Sequence, residues 1–113
     1  MVYFKPHEFK MGDKVVYDKM NKVFLMKLDM LRDLAGIPFI ITSSYRDEEY
    51  NAKVGGNSNS QHLKGRAVDI KVSNGFEKYQ IVKGCIALGL SFGIANTFIH
   101  VDDREGVDVC WTY

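Results

Sequence analysis

The chain of 113 residues is long enough for one domain with a hydrophobic core of its own. Hydrophobic residues make up 46% and charged residues 26%, as in ordinary soluble globular proteins. The 15 Lys and Arg against 14 Asp and Glu leave a formal charge of +1, which argues against a nucleic acid or an anionic membrane surface as partner. No segment approaches the roughly 18 apolar residues that span a bilayer. We therefore expect one domain over residues 1–113, with no membrane span and no nucleic acid partner.

Signals for export and for covalent cross-linking are absent from the sequence. The N-terminal segment has no apolar run of signal-peptide length. We expect a monomer that is made and kept in the cytoplasm unless something else releases it. Cys85 and Cys110 are too few for a disulfide framework and lack CxxC spacing. We expect both to be buried free thiols.

The first half of the chain predicts two helices that flank a strand. Pro6 is typical of a first helical turn, which favours a structural role for His7. A core-facing helix is predicted from Asp18 as N-cap to Gly36 as its stop. Its apolar residues recur at helical spacing: Met20, Phe24, Leu28, Leu31 and Ala35. IPFIITSS predicts a buried strand, and RDEEYNAKVGG a short helix that ends at glycines 55–56.

The second half predicts a strand, a helix and a strand meander. RAVDIKV follows the polar loop NSNSQ and alternates, with Ala67, Asp69 and Lys71 on one face and Val68, Ile70 and Val72 on the other. A helix is predicted from about Ser73 to Leu88, with these residues inward: Phe76, Tyr79, Val82 and Ile86. SFGIA, FIHVDD and VDVCWTY predict antiparallel strands joined by turns. The expected fold is α+β, with helices packed on a small, mostly antiparallel sheet.

Two histidines and a carboxylate form a candidate metal-binding set. Asp69 lies in the most strand-like part of its segment, and a buried carboxylate is costly unless a cation or hydrogen-bond donors hold it. The period of two in FIHVDD places His100 and Asp102 on one strand face. His62, Asp69 and His100 would supply two nitrogen ligands and one oxygen ligand, as in catalytic zinc sites. Non-haem iron uses the same ligand types.

The segment around His62 carries a specific motif. Ser60, His62, Gly65, Ala67 and Asp69 fill every fixed position of Ser-x-His-x-x-Gly-x-Ala-x-Asp. This pattern resembles the signature of the zinc D-Ala-D-Ala peptidases of the Hedgehog/DD-peptidase fold. SSYRDEEYN resembles that family's Ser-Gly-Tyr-Arg segment, with serine in the glycine's place, and FIHVD resembles the strand with its last zinc-binding histidine. FKPHEFK and LDMLRDLAGIPFIITS also look like small phage and bacterial members, so the resemblance covers nearly the whole chain.

The resemblance implies a zinc site and an arginine beside it. His62, Asp69 and His100 would bind Zn²⁺. Arg46 would lie near the metal, where its fork of donors binds substrate or stabilises an oxyanion. A surface arginine that pairs with an acidic neighbour at 47–48 is the alternative.

Other residues near the motif have two interpretations each. Ser60 and Gln61 would hydrogen-bond a ligand or the substrate, or would only form turns. Trp111 and Tyr113 would complete the core or line a cleft. Tyr45, beside the arginine, has the same two interpretations.

The position that usually carries the general base departs from the family pattern. Members of this superfamily usually carry Glu or Asp three residues before the last histidine, whereas this chain has Thr97. Asp102, on the same strand face as His100, is our candidate for the missing base. It is equally a candidate for orienting a histidine ligand. Asp103 is a weaker candidate for the base, because the alternation of the strand directs its side chain to the face opposite His100.

The resemblance implies a zinc peptidase that hydrolyses stem peptides of bacterial peptidoglycan, with a D-residue near the cleaved bond. A carboxypeptidase, a dipeptidase and an endopeptidase all fit, and the similarity to small phage members suggests a lysis enzyme that is released by a separate pore, or a virion-associated one. The alternative is a binding module that keeps the fold and the zinc without hydrolysis. Thr97 is the feature that favours the alternative.

Overall fold

The structure is a computed structural model that describes residues 2–113. The helices are α1 (Lys22–Ala35), α2 (Glu48–Lys53) and α3 (Gly75–Leu88), with short 3-10 helices at Pro6–Glu8, Tyr17–Lys19 and Gln61–Lys64. The strands are β1 (Lys10–Met11), β2 (Lys14–Val15), β3 (Ile41–Ser43), β4 (Ala67–Lys71), β5 (Ser91–Ile94), β6 (Phe98–Asp102) and β7 (Cys110–Thr112). Within these residues, no helix is both long and apolar enough to cross a bilayer.

The main sheet has five strands in the order β3-β4-β6-β5-β7. Its pairings are antiparallel except between β5 and β7. Helices α1 and α3 pack against each other, and their apolar side chains join those of β4 and β6 in one core. The predicted α+β class, with helices on a small and mostly antiparallel sheet, is confirmed. The opposite face of β4 and β6 carries Asp69, His100 and Asp102.

The start of α1 differs from the prediction. Asp18 lies in a separate 3-10 helix, and the N-cap is Asn21, whose side chain accepts a hydrogen bond from the Phe24 N–H at 2.9 Å. The predicted end is confirmed, because Gly36 closes the helix in the left-handed conformation. Apart from Met20, which precedes the helix, the predicted core residues lie on its buried face: Phe24, Leu28, Leu31 and Ala35.

The buried face of α3 also differs from the prediction. Phe76, Tyr79 and Ile86 are 64%, 66% and 69% exposed, and only Val82 of the predicted inward set packs against the core. The residues that face inward are Ile81, Gly84 and Cys85. A Cβ at Gly84 would lie 2.6 Å from Leu31 Cδ1, so the glycine allows α1 to approach closely on this side. Apolar residues occur around most of α3, and this helix contact selects the buried face.

The last strand does not continue the meander. β6 is flanked by β4 and β5, so both of its edges are paired before the chain reaches β7. β7 therefore adds to the free edge of β5, to which it runs parallel. This position exposes Cys110, contrary to the prediction, whereas Cys85 is buried as predicted. Burial and the nearby Asp102 charge raise the pKa of the Cys85 thiol to about 12.

The β1–β2 hairpin was not predicted from the sequence. Its strands contain two residues each, too few for alternation to be recognised. Gly12, in the left-handed conformation, forms the turn between them.

Candidate metal centre

Two neighbouring strands bring a carboxylate and a histidine to one point. Asp69 in β4 is directly opposite His100 in β6. Their strand neighbours Val68, Ile70 and Ile99 are directed into the apolar core. Because successive side chains alternate between faces, Asp69 and His100 share the other face of the sheet.

The second histidine comes from the turn before β4. His62 lies in the 3-10 helix Gln61–Lys64, where the Ser60 Oγ accepts a hydrogen bond from the His62 N–H at 3.2 Å. Gly65 ends this turn with a positive φ of 67°. A Cβ there would overlap the Lys19 carbonyl oxygen. Glycine is therefore required at the point where the turn reverses into β4.

The three side chains converge on one carboxylate oxygen. Asp69 Oδ1 lies 3.3 Å from His62 Nε2 and 3.3 Å from His100 Nδ1, and one ligand atom from each residue lies within 4.8 Å of the others. All three residues are buried. Among the described residues, Asp69 Oδ1 is a buried oxygen without a hydrogen-bond partner.

This arrangement fits a tetrahedral metal ion. With zinc–ligand bonds of about 2.0–2.1 Å, neighbouring ligand atoms of a tetrahedron lie about 3.3 Å apart. The two nitrogen–oxygen distances in the cluster are 3.3 Å. The Asp69 oxygen without a hydrogen-bond partner and the two imidazole nitrogens are ligand types that zinc binds. The three residues therefore fit a zinc ion.

Charge in the cluster also favours a cation. Burial raises the pKa of the Asp69 carboxyl, but the nearby imidazoles of His100 and His62 lower it by more, to well below its ordinary value. Burial lowers the pKa of His100, but Asp102 and Asp69 raise it by more. The lowered pKa of Asp69 and the raised pKa of His100 both indicate that this cluster attracts positive charge.

In each histidine, the ring nitrogen that faces away from Asp69 contacts a different kind of group. His62 Nδ1 lies 2.7 Å from the Ser44 carbonyl oxygen. His100 Nε2 lies 2.7 Å from Asp102 Oδ2. Asp102 is in turn bound by Arg104, whose Nη2 donates to Oδ2 at 2.6 Å and whose Nε donates to Oδ1 at 3.0 Å. In both histidines, the nitrogen that faces Asp69 is the one left free for a metal ion.

Arg46 lies beside the cluster. Its Nη2 is 3.5 Å from Asp69 Oδ2, its Nε donates to Ser43 Oγ at 3.1 Å, and its Nη1 donates to Asn51 Oδ1 at 3.2 Å. The side chain is 14% exposed. The alternative of a surface arginine that pairs with residues 47–48 is therefore wrong, and Asp47 instead caps α2.

Comparison with known families agrees with this geometry. The profile described as Peptidase M15 matches residues 2–102, which include all three residues of the cluster. The chain belongs to the peptidase M15 family. No curated protein is matched by the chain. Membership makes this protein a peptidase of a family of zinc enzymes, and it agrees with the buried His-Asp-His set.

In this M15 peptidase, Asp102 is on the far side of His100 from the cluster. Its Oδ2 contacts Nε2 of the imidazole, whereas Asp69 faces Nδ1. The Asp102 side chain is fully buried, and both of its oxygens accept hydrogen bonds from Arg104. Burial raises the pKa of this carboxyl, but His100 and Arg104 lower it by more. This position favours the orienting role over the role of general base.

The other two positions considered for the base are also away from the cluster. Thr97 is exposed in the turn between β5 and β6. Asp103 forms ion pairs with Lys27 and Arg66, at 3.0 and 3.6 Å. His7, likewise, is exposed in the first 3-10 helix and lines a different cavity.

A cleft of about 650 Å³ opens over the cluster of His62, Asp69 and His100. Ser60 and Gln61 line it, although the Ser60 hydroxyl is already used by the turn. Trp111 and Tyr113 line it as well, which answers the question that the sequence left open for them. Tyr45 instead packs against the core.

Sequence reasoning missed three groups of this centre. The Ser44 carbonyl has no sequence signal, because any residue supplies a backbone oxygen. Arg104 follows FIHVDD directly, and its place two residues after Asp102 was the available signal. Asn51 is 3% exposed and forms hydrogen bonds with both Arg46 and the Asn57 carbonyl. From the sequence, a polar residue in a short helix is expected to face solvent.

Proposed function

We propose that this M15 peptidase is a zinc enzyme that hydrolyses peptide bonds in the stem peptides of bacterial peptidoglycan. The observation that carries the proposal is the solitary Asp69 oxygen, which lies 3.3 Å from a nitrogen of each histidine. In this proposal His62, Asp69 and His100 hold the ion. Zinc bound there would polarise the scissile carbonyl and lower the pKa of a water to about 7.

Arg46 is the proposed group for binding the substrate and its developing negative charge. Its guanidinium is held on two sides by Ser43 and Asn51, so its orientation is fixed before substrate arrives. Its contact with Asp69 is long, at 3.5 Å. Donors fixed in this way stabilise an oxyanion without reorganisation during the reaction.

Gln61 and Ser60 are the proposed substrate contacts on the loop side of the cleft. Gln61 Oε1 is buried and has no hydrogen-bond partner among the described residues. A peptide N–H of the substrate would satisfy it. Ser60 mainly supports the turn that carries His62, so we expect its effect on binding to be the smaller one.

Asp102 is proposed to position His100 rather than to accept a proton from water. Its carboxylate holds the proton of Nε2 and thereby leaves Nδ1 with a lone pair toward Asp69 and the ion. Arg104 keeps this carboxylate ionised and fixed.

The substrate class rests on the resemblance of the Ser60–Asp69 motif to the D-Ala-D-Ala peptidases. We propose a stem peptide with a D-residue near the cleaved bond, cut by a single monomeric domain over residues 1–113. The likeness to small phage members supports a role in lysis, with delivery to the wall by another factor or by a virion.

A binding module without hydrolysis is the second candidate, and one observation favours it. Among residues 2–113, the carboxylates that line the cleft are Asp69 and Asp102, and both are held by other groups. A module of this kind would bind zinc and wall peptides through the same residues without cleaving them.

Purified protein of known zinc content, incubated with peptidoglycan fragments and analysed by mass spectrometry, separates the two candidates. Hydrolysis that is lost after chelation and in His100→Ala supports the peptidase and identifies the bond. Bound zinc without cleavage of several wall chemistries supports the binding module.

A further inference from the structure

Strand β7 builds one wall of the cleft. Gly93 of β5 is opposite His100 on one side and Trp111 of β7 on the other, so the three residues form a row across the sheet. A Cβ on Gly93 would overlap the Trp111 indole. The glycine therefore lets the indole lie across β5, with its ring centroid 5.2 Å from that of His100.

Two further aromatic rings continue this surface, which we call the aromatic wall: Phe98, Trp111 and Tyr113. The ring centroids of Tyr113 and Phe98 are 5.1 Å apart, and those of Tyr113 and Trp111 are 6.4 Å apart. All three line the cleft, and Tyr113 is 69% exposed. Trp111 and Tyr113 lie beyond residue 102, where the family match ends, so family membership does not predict this wall.

The other side of the cleft is rich in amides. The loop before His62 contributes Asn57, Asn59 and Gln61. This loop leads to β4, whereas the residues of the aromatic wall belong to β6 and to the β7 end of the chain. Amide side chains donate and accept hydrogen bonds, so this side of the cleft suits the hydroxyl or amide groups of a ligand.

The charges of the cleft lining are paired. Arg46 contacts Asp69, and Arg104 binds Asp102. No unpaired carboxylate among the described lining residues is left to bind a cationic group of a ligand. The cleft therefore suits an uncharged group with one apolar face and hydroxyl or amide groups at its edge.

A pyranose ring has these properties, because its axial C–H bonds form an apolar face and its hydroxyl and acetamido groups lie at the edge. The Arg104 guanidinium lies over the Trp111 indole, 5.0 Å from the ring centroid, which leaves Tyr113 as the exposed ring of the aromatic wall. We propose that Tyr113, supported by Trp111, forms a subsite for a sugar ring, so that the enzyme acts preferentially on stem peptides still joined to the glycan. This inference rests on the proposed hydrolysis of wall peptides, and it adds the glycan as part of the substrate.

The first test compares the kcat/KM for a stem peptide with that for the same peptide carrying its disaccharide. We expect wild type to prefer the glycopeptide by about three- to tenfold, the range that an aromatic contact supports. In Tyr113→Ala this ratio should fall toward one. Tyr79→Ala is the matched control, because Tyr79 is similarly exposed, at 66%, on α3 and outside the cleft. Equal rates on both substrates in wild type would overturn the subsite while leaving the peptidase intact.

A second test does not depend on hydrolysis. Trp111 is the only tryptophan of the chain, so its fluorescence reports directly on the aromatic wall. Titration with N,N′-diacetylchitobiose, an uncharged disaccharide, should give a saturable change in this fluorescence that weakens in Tyr113→Ala and persists in Tyr79→Ala. The absence of any change would overturn the subsite even if the proposed peptidase activity also fails.

Discussion

The two histidines of the candidate metal centre are oriented by different kinds of group. On the loop side, a backbone carbonyl of Ser44 holds His62. On the strand side, the carboxylate of Asp102 holds His100, and Arg104 holds the carboxylate. A carbonyl is neutral and is fixed by the fold, whereas the carboxylate is charged and depends on a second side chain.

This contrast indicates which substitutions near the histidines should alter metal affinity. Side-chain substitution cannot remove the carbonyl that holds His62, so the loop side depends on the path of the backbone. The strand side depends on two side chains, of which Arg104 lies outside the family match at residues 2–102. We therefore expect mutations behind His100 to tune metal affinity, and those behind His62 to leave it unchanged.

Removal of either histidine should have the largest effect. If a zinc site of about 10–16 kcal/mol is shared among three or four ligands, His62→Ala and His100→Ala should each weaken zinc binding by about a thousandfold. Competition with a chromophoric chelator measures this affinity. His7→Ala is the control and should bind normally. Stoichiometric zinc retained by either variant would remove that residue from the metal site.

A direct test of the contrast pairs Asp102→Asn with Ser44→Ala. Loss of a carboxylate behind a histidine ligand weakens metal binding by about 10- to 100-fold, so we expect that range for Asp102→Asn. Ser44→Ala keeps the carbonyl and should change zinc affinity by less than about twofold on the same reasoning. Chelator competition and Tm are measured on both variants. Equal losses would show that the two histidines are not held as described.

Arg104→Met should have a smaller effect than Asp102→Asn, because Arg104 acts on His100 only through the carboxylate. We expect zinc affinity to fall by up to about tenfold, the lower end of the range for outer groups. Arg66→Met is the matched control, since Arg66 pairs with Asp103 and Glu105 instead. An Arg104→Met effect as large as that of Asp102→Asn would assign the arginine a more direct role.

Thr97→Ala should have the smallest effect of the series. The side chain is exposed, and the Thr97 group that contacts the sheet is its carbonyl, which accepts a hydrogen bond from the Val72 N–H at 2.9 Å. We expect kcat/KM on wall peptides to stay within about twofold, as for surface substitutions in general. A large loss of kcat/KM with unchanged zinc binding would show that Thr97 takes part in catalysis.

The convergence of His62, Asp69 and His100 could be predicted because local sequence patterns place these residues. Alternation in β4 and β6 separates Asp69 and His100 from their apolar neighbours. His62 and Asp69 belong to one motif that also contains the required Gly65. The pairing of the two strands then brings these two side chains together on one face of the sheet.

The aromatic wall and the buried face of α3 could not be predicted because they depend on distant contacts. β7 cannot pair with β6, whose two edges are taken by β4 and β5, and it joins the sheet at β5 instead. The orientation of α3 is decided by the contact of Gly84 with Leu31. Alternation and helical periodicity carry no information on either choice, since each involves residues more than ten positions apart.

The most direct test of a zinc-dependent peptidase at the His-Asp-His cluster is a reactivation titration. Chelated protein is supplied with increasing zinc, and hydrolysis of a peptidoglycan fragment is measured at each addition. The proposed function predicts that activity rises linearly and stops at one zinc per chain, and that Asp69→Asn gives no rise. Full activity before zinc is added, or no activity with one zinc bound, would contradict it.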